Sequence, residues 1–283
     1  MKIVDYRSRF THALAPHYDA DEAASFFYLL LAHFTGLKRI DLALDRNLEV
    51  PESQLQQWEH AVAQLKSHVP IQYIIGVTSF FGLDFEVSPH VLIPRPETEE
   101  LVQWILSDHA ALQLENLRIL DIGTGSGCIA ISLAHGLPHA QVWAMDVSDN
   151  ALSVARRNAV RNGVCVNWIS QDILTTDDLH ARFDVIVSNP PYVRNLEKSE
   201  IRPNVLDHEP HLALFVDDHD ALLFYRKIAD LALKSLSSNG RLYFEINQYL
   251  GNETMDMLKQ KGFSQIELRA DLYGNDRMIL ARV

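Results

Sequence analysis

The chain has 283 residues, 47% of them hydrophobic, and a formal net charge of −12. That content suits a soluble globular protein of one or two domains, and no apolar run reaches the ~18 residues of a membrane span. The acidic balance excludes a protein that holds nucleic acid through broad phosphate contacts, which needs basic surface.

The N-terminus, Met1 to Arg7, is charged and lacks the apolar stretch of a signal peptide, so a cytoplasmic protein is expected. Residues 1–72 read as a small helical bundle. Asp21 is placed to cap a helix from Glu22 to Phe34, with Phe26, Phe27, Leu29, Leu30 and Leu31 inward and Gly36 as the stop. Pro51 and Glu52 open another, with Leu55, Trp58, Val62 and Leu65 at helical spacing. Residues 73–95 change to short β-prone runs. Ile74, Val77, Phe80, Phe85, Val87 and Val91 predict a hairpin that joins two domains. Pro94 and Pro96 stiffen the next segment, and Glu97 or Thr98 starts a helix through Leu101, Val102, Ile105 and Leu106.

Residues 96–283 then repeat strand, turn and helix. Strands are predicted at Arg118–Ile122, Val142–Asp146, Val164–Ile169, Phe183–Val187, Leu242–Ile246, Ile266–Arg269 and Met278–Val283. Helices are predicted from Cys128 to Ala134, Ala151 to Ala159 and Leu223 to Leu236. Repeating β–α units imply an α/β fold with a parallel, doubly wound sheet. Cys128 and Cys165 lie in apolar contexts and read as small core residues in a reducing compartment. Arg156, Arg157 and Arg161 read as a solvated helix face. His208 and His211 flank Glu209 and Pro210, and the proline denies them a shared helix face, so no metal site is read there.

Chemistry concentrates at the predicted strand ends. The turn Gly123-Thr124-Gly125-Ser126-Gly127 lets backbone approach a ligand where a Cβ would collide. Asp146 ends the second strand about 20 residues on, where a carboxylate can accept both hydroxyls of a ribose. Asp172 follows the third strand and can accept from an adenine amino group; Asp121 precedes the loop and can meet an ammonium group. An amino acid joined to an adenosine satisfies all three acids.

After the fourth strand comes Ser188-Asn189-Pro190-Pro191-Tyr192. Two prolines cannot continue a strand, so the chain leaves the sheet at its carboxyl end. Pro191 holds Pro190 extended and aims its carbonyl. Asn189 adds a second acceptor and Tyr192 a flat ring. Two fixed acceptors beside an aromatic face suit a planar group that carries an NH2.

The run Asp121 to Gly127, with Asp146 and Asp172, resembles the class I S-adenosylmethionine-dependent methyltransferases, and Asn189-Pro190-Pro191-Tyr192 narrows this to enzymes that methylate a planar amine or amide. With Phe80 to Val87, Leu92 to Glu99 and His208-Glu209-Pro210, the chain resembles the protein-glutamine methyltransferases that modify bacterial peptide chain release factors. The resemblance implies a Rossmann-like methyltransferase sheet, S-adenosyl-L-methionine as cofactor, and the glutamine of a Gly-Gly-Gln motif as substrate. It implies cofactor contacts at the glycine loop, Asp146, Asn189 and Ile173, the position after Asp172. Ile173 departs from the family pattern, which is often aromatic there. Substrate contacts fall to Asn189, Pro190, Pro191 and Tyr192, with Asn189, Pro190 and Tyr192 as catalytic. The N-terminal helices are then a substrate-recognition domain of a monomeric enzyme that needs no metal and binds no specific nucleic acid. Two rivals share these motifs. A glutamine methyltransferase of a ribosomal large-subunit protein has a different C-terminal pattern from Asp271 to Met278. A DNA amino-methyltransferase needs a basic groove that this chain lacks.

Overall fold

The described structure, a computed structural model, covers residues 1–110 and 116–283, and the chain divides into two units. The first comprises Met1–Gly76 and Arg202–His208; the second comprises Val77–Ile201 and Glu209–Val283.

Apolar residues at helical spacing build the first unit. Helices α1 (Ile3–Leu14), α2 (Ala20–Thr35), α3 (Arg39–Leu44), α4 (Glu52–Lys66) and α5 (Ile71–Ile75) share one core. Ile3, Tyr6, Phe10 and Leu14 form the buried stripe of α1. Trp58 of α4 is its centre, with ring centroids 5.2 Å from Tyr6, 5.3 Å from Phe27 and 5.2 Å from Phe34. Asp19, rather than Asp21, caps α2, accepting from the Glu22 N–H at 2.8 Å. Asp21 thereby sits in the first turn, where a carboxylate faces the positive end of the helix dipole. Leu29 points outward, 47% exposed, because the buried stripe runs through Ala23, Phe27, Leu30 and Leu31. Tyr73 and Ile74 belong to α5 instead of a β run; Ile71 buries into the helical core, which moves the boundary to Gly76.

The second unit opens on a hairpin shorter than expected, β1 (Val77–Phe80) and β2 (Leu83–Glu86), turning at Phe81 and Gly82. Residues 87–95 are irregular but anchored by buried Val87, Val91 and Ile93. Helix α6 (Pro96–Ala110) begins at Pro96, whose missing N–H costs nothing in a first turn. Then come β3 (Arg118–Ile122), α7 (Cys128–Gly136), β4 (Gln141–Asp146), α8 (Asp149–Arg161), β5 (Asn167–Ser170) and β6 (Phe183–Ser188). Cys165 is exposed, because β5 starts only at Asn167 and leaves it in the preceding loop. The short β7 (Val193–Arg194) pairs in parallel with β8 (Phe215–Val216), on either side of α9 (Pro203–Leu206) and α10 (His211–Leu214). Helix α9 lies in the stretch that belongs to the first unit, where Arg202 pairs with Glu22 at 3.6 Å and His208 Nε2 lies 2.8 Å from the Ser67 carbonyl. The chain ends with α11 (Leu223–Ser235), β9 (Leu236–Glu245), α12 (Gly251–Lys261), β10 (Ser264–Ala270) and β11 (Asp276–Arg282).

The main sheet has the order β10-β11-β9-β6-β3-β4-β5. Strands β5, β4, β3, β6 and β9 are parallel neighbours, while β11 pairs antiparallel with both β9 and β10. The reversal follows from the turn between β10 and β11, which is too short for the crossover a parallel pair requires. Alternation along the strands fills both faces. Ile119, Val185 and Val187 pack with α6 and α7, whereas Leu120, Ile186 and Phe244 pack with α11 and α12. Helix α12 has no counterpart among the predicted elements, since it buries only Gly251, Thr254, Met257 and Leu258. Among the described residues, no helix is long and apolar enough to cross a membrane.

Asn158 of α8 ties the hairpin to the glycine loop. Its Oδ1 accepts from the Glu86 N–H at 2.6 Å, and its Nδ2 donates to the Glu86 carbonyl at 3.0 Å and the Ser126 carbonyl at 2.9 Å. The side chain is wholly buried, so its loss strands polar backbone without water. Asn158→Ala is expected to cost about 1–3 kcal/mol of stability in urea unfolding. An unchanged midpoint would show that the hairpin is held by its apolar contacts alone.

Candidate active site

Parallel strands share a carboxyl edge, so β3, β4, β5 and β6 deliver their trailing loops to one place. A cleft of about 260 Å³ opens there. Its walls include Gly123, Gly125, Asp146, Asp172, Asn189 and Pro190. Thr124, Ser126, Ile173 and Pro191 line it as well.

The glycine loop is folded back on β4, with the Gly123 and Thr124 N–H groups donating to the Met145 carbonyl at 2.8 and 3.0 Å. Gly123 (φ +74°) and Gly125 (φ +57°) have left-handed backbone, and a Cβ on either would meet no protein atom within 4 Å. The space above them is the cleft, free for a ligand to approach. Gly127 has a different part. A Cβ there would lie 2.9 Å from Ile131 Cδ1 and 3.1 Å from Ala155 Cβ, so this glycine lets α7 and α8 pack closely and is not a wall of the cleft.

Asp146 takes the Gly125 N–H at 2.8 Å on one oxygen and the Ser148 N–H at 2.9 Å on the other. Each oxygen keeps a second lone pair. Asp172 caps the turn after β5, accepting from the Leu174 N–H at 2.8 Å. Asp121 lies behind the loop rather than on the cleft wall. Its Oδ2 accepts from the Thr124 hydroxyl at 2.6 Å, and its buried Oδ1 has no protein partner. Burial pushes its carboxyl up to about 7. The open backbone over two glycines and the spare acceptor capacity of Asp146 fit a ligand that brings hydroxyls to the end of β4. Ile173, Leu174 and Phe224 supply an apolar wall for a flat ring.

The comparisons agree with this geometry. The PrmC N-terminal domain matches residues 5–76 and the methyltransferase small domain matches residues 102–210. The chain is 59% identical to the release factor glutamine methyltransferase of Flavobacterium psychrophilum, over 99% of this chain and 98% of that one. The chain belongs to the release factor glutamine methyltransferase family. The family's protein from Bacteroides thetaiotaomicron is 41% identical over 93% of this chain and 94% of that one. Among solved structures, the T. thermophilus 16S rRNA N2 G1207 methyltransferase in complex with AdoMet and guanosine matches with a TM-score of 0.54. It has 17% identity, covering 73% of this chain and 49% of that chain, a likeness of fold.

For a member of the release factor glutamine methyltransferase family, the stretch after β6 is the centre of interest. Asn189, Pro190 and Pro191 line the cleft, but Tyr192 turns away from it. Its hydroxyl donates to Glu245 Oε1 at 3.0 Å, its carbonyl accepts from Asn247 Nδ2 at 3.0 Å, and its ring packs on the core between the sheet and α11. Burial and the Glu245 carboxylate raise the phenol far above its ordinary range. Glu245, 1% exposed at the end of β9, also accepts from the Thr98 hydroxyl at 2.6 Å, and Thr98 faces Asn189 Nδ2 at 3.3 Å. Burial raises the Glu245 carboxyl, opposed by these two hydroxyl bonds and the charge of Arg277.

Sequence reasoning passed over Thr98 and Glu245. A signal existed for the second, because a glutamate inside the apolar strand Leu242 to Ile246 has to find partners. Sequence reasoning singled out Leu92 to Glu99 and His208-Glu209-Pro210 as motifs but gave no place in the cleft to Leu92, Pro94 and Arg95 or to Pro210 and Leu212, which line it. These two stretches are clamped by Glu209, 3% exposed, which accepts from the Ile93 N–H at 3.1 Å and pairs with Arg95 at 2.6 Å. Cys128 borders the cleft with its thiol pushed up to about 12 by burial, which leaves it unreactive.

Proposed function

We propose that this chain transfers the methyl group of S-adenosyl-L-methionine to the side-chain amide nitrogen of a glutamine in a peptide chain release factor, the glutamine of a Gly-Gly-Gln motif. One observation carries the reading. Asn189 and Pro190 line the same cleft as the glycine loop and Asp146, so a planar NH2 group and an adenosine can be held together.

Bound S-adenosylmethionine supplies an electrophilic methyl group on a sulfonium. The rest is the work of the chain's own residues. An amide nitrogen is a poor nucleophile because its lone pair is delocalised. Asn189 Oδ1 and the Pro190 carbonyl accept its two N–H bonds and fix its direction. Acceptors already in place contribute through positioning and preorganised electrostatics. Asp146 holds the ribose end and Asp172 the adenine amino group, while Asp121 braces the glycine loop from behind through the Thr124 hydroxyl. Asn189 also touches the cofactor from its strand end. Ile173 covers the ring by apolar contact in place of aromatic stacking. Tyr192 supports the stretch from behind through Glu245 rather than stacking on the substrate. A release factor as substrate supports a cytoplasmic enzyme.

No wall of the cleft comes from residues 1–76 or 202–208, which supports a role for the helical unit in gripping the protein substrate. The test is methyl transfer by the purified chain to a release factor, to the same factor with its Gly-Gly-Gln glutamine changed to alanine, and to a ribosomal large-subunit protein. Label should appear only on the unaltered release factor, as one methyl on the glutamine. Label on the ribosomal protein alone would replace the substrate. A chain starting at Val77, once shown to be folded, should methylate a short Gly-Gly-Gln peptide and fail on the intact factor. Equal rates on both would give the helices another role.

A further inference from the structure

We propose that Thr98 and Glu245 are positioning residues that set which end of the Asn189 side-chain amide faces the substrate. The proposal rests on the function proposed above, in which Asn189 must offer an acceptor. An asparagine amide has two nearly isosteric branches, one that accepts and one that donates. A substrate NH2 meets a partner in the first orientation and a second NH2 in the other. Something in the fold has to choose.

The choice follows from proton counting. Glu245 ends β9 in full burial, and its two oxygens face two hydroxyls, Thr98 at 2.6 Å and Tyr192 at 3.0 Å. A carboxylate only accepts, so both hydroxyls must donate to it. A threonine hydroxyl has one proton, and that of Thr98 is committed to Glu245. The Asn189 atom that meets Thr98 at 3.3 Å must then be the donor, Nδ2. The amide is planar, so Oδ1 lies on the opposite branch, turned from Thr98. Without the carboxylate, the same hydroxyl could donate to Oδ1 and reverse the amide at similar energy.

Two neighbours support this arrangement. Arg277 lends its charge to Glu245 and is itself held by Asp271 at 3.1 Å, which favours the ionised carboxylate despite burial. Thr98 is 2% exposed, so no water competes for its proton. The first turn of α6, the end of β9 and the loop after β6, three stretches distant in sequence, thus combine to orient one amide.

The experiment is a double-mutant cycle on single-turnover methyl transfer to a release factor, with cofactor affinity measured separately. Thr98→Val keeps shape and removes the hydroxyl. It should lower the rate ~10- to 100-fold with cofactor affinity unchanged, and Thr98→Ser should restore most of the loss. In Asn189→Asp both branches accept, so orientation no longer matters and Thr98→Val should cost less than ~3-fold; it should likewise add little to Asn189→Ala. Thr98→Ala runs the same cycle if the valine variant folds poorly. A Thr98→Val rate within ~2-fold of the parent, or an undiminished loss in the Asn189→Asp background, overturns the proposal. Failure of the parent chain to methylate any release factor would instead overturn the functional reading, so the two failures are distinguishable.

Discussion

Asn189→Ala is expected to lower single-turnover methyl transfer by ~2–4 kcal/mol in the transition state, roughly thirty- to a thousand-fold, while leaving the protein folded. The side chain is only half-buried at the end of β6, and its protein partner is Thr98 at 3.3 Å. Thr98 keeps its stronger bond to Glu245 when Asn189 is gone, so no buried group is orphaned and stability should change by less than ~1 kcal/mol. The substrate amide, by contrast, loses one of two acceptors, and the Pro190 carbonyl alone cannot fix its direction. Asn189→Asp retains an acceptor in nearly the same place and should keep more activity than alanine. Cofactor affinity must be measured beside the rate, because Asn189 lines the same cleft as the glycine loop and Asp146. A folded alanine variant with near-normal transfer would reduce this stretch to a strand-ending turn.

The catalytic unit was legible where one local pattern decides structure. Strand β3 lies at Arg118–Ile122 as predicted, because an apolar run before a glycine turn has few alternatives. The Pro190-Pro191 pair likewise ends β6 at the cleft, as two missing N–H groups require. The features that escaped depend on contacts between distant residues. Thr98 meets Glu245 across 147 positions, and Arg95 meets Glu209 across 114. No window of sequence holds both partners; Thr98, Arg95 and Glu209 alone read as exposed polar groups, and Glu245 within its apolar strand says only that a partner exists, not which one. Tyr192 was misplaced for the same reason. An aromatic beside two prolines suggests a stacking platform, until Glu245 appears as the partner of its hydroxyl. Gly127 shows the converse. Its spacing matches the ligand-facing glycines, but the nearest atoms belong to Ile131 and Ala155, so it serves packing. The reversal of β11 was also hidden, since apolar alternation is the same in either direction along a strand.

Asp146→Ala is the other large effect expected, and it falls on cofactor binding. Each oxygen of Asp146 already accepts one backbone N–H, from Gly125 at 2.8 Å and from Ser148 at 2.9 Å. The carboxylate therefore holds the glycine loop in shape and still has a free lone pair on each oxygen for a ribose hydroxyl. Alanine removes both functions. The dissociation constant for S-adenosylmethionine should rise thirty- to a thousand-fold, about 2–4 kcal/mol, by calorimetry. Asp146→Asn keeps one acceptor and should fall between. The pH dependence gives a second reading of the same group. Desolvation raises the Asp146 carboxyl above its usual range, although the backbone N–H groups around it pull the other way. As pH falls through that raised value the carboxylate gains a proton and loses acceptor strength, so cofactor affinity should decline on the acid side sooner than for an exposed carboxylate. The asparagine variant cannot take up that proton, and its acid limb should vanish. Unchanged cofactor affinity in the alanine variant would move the ribose elsewhere and leave Asp146 as a brace for the loop.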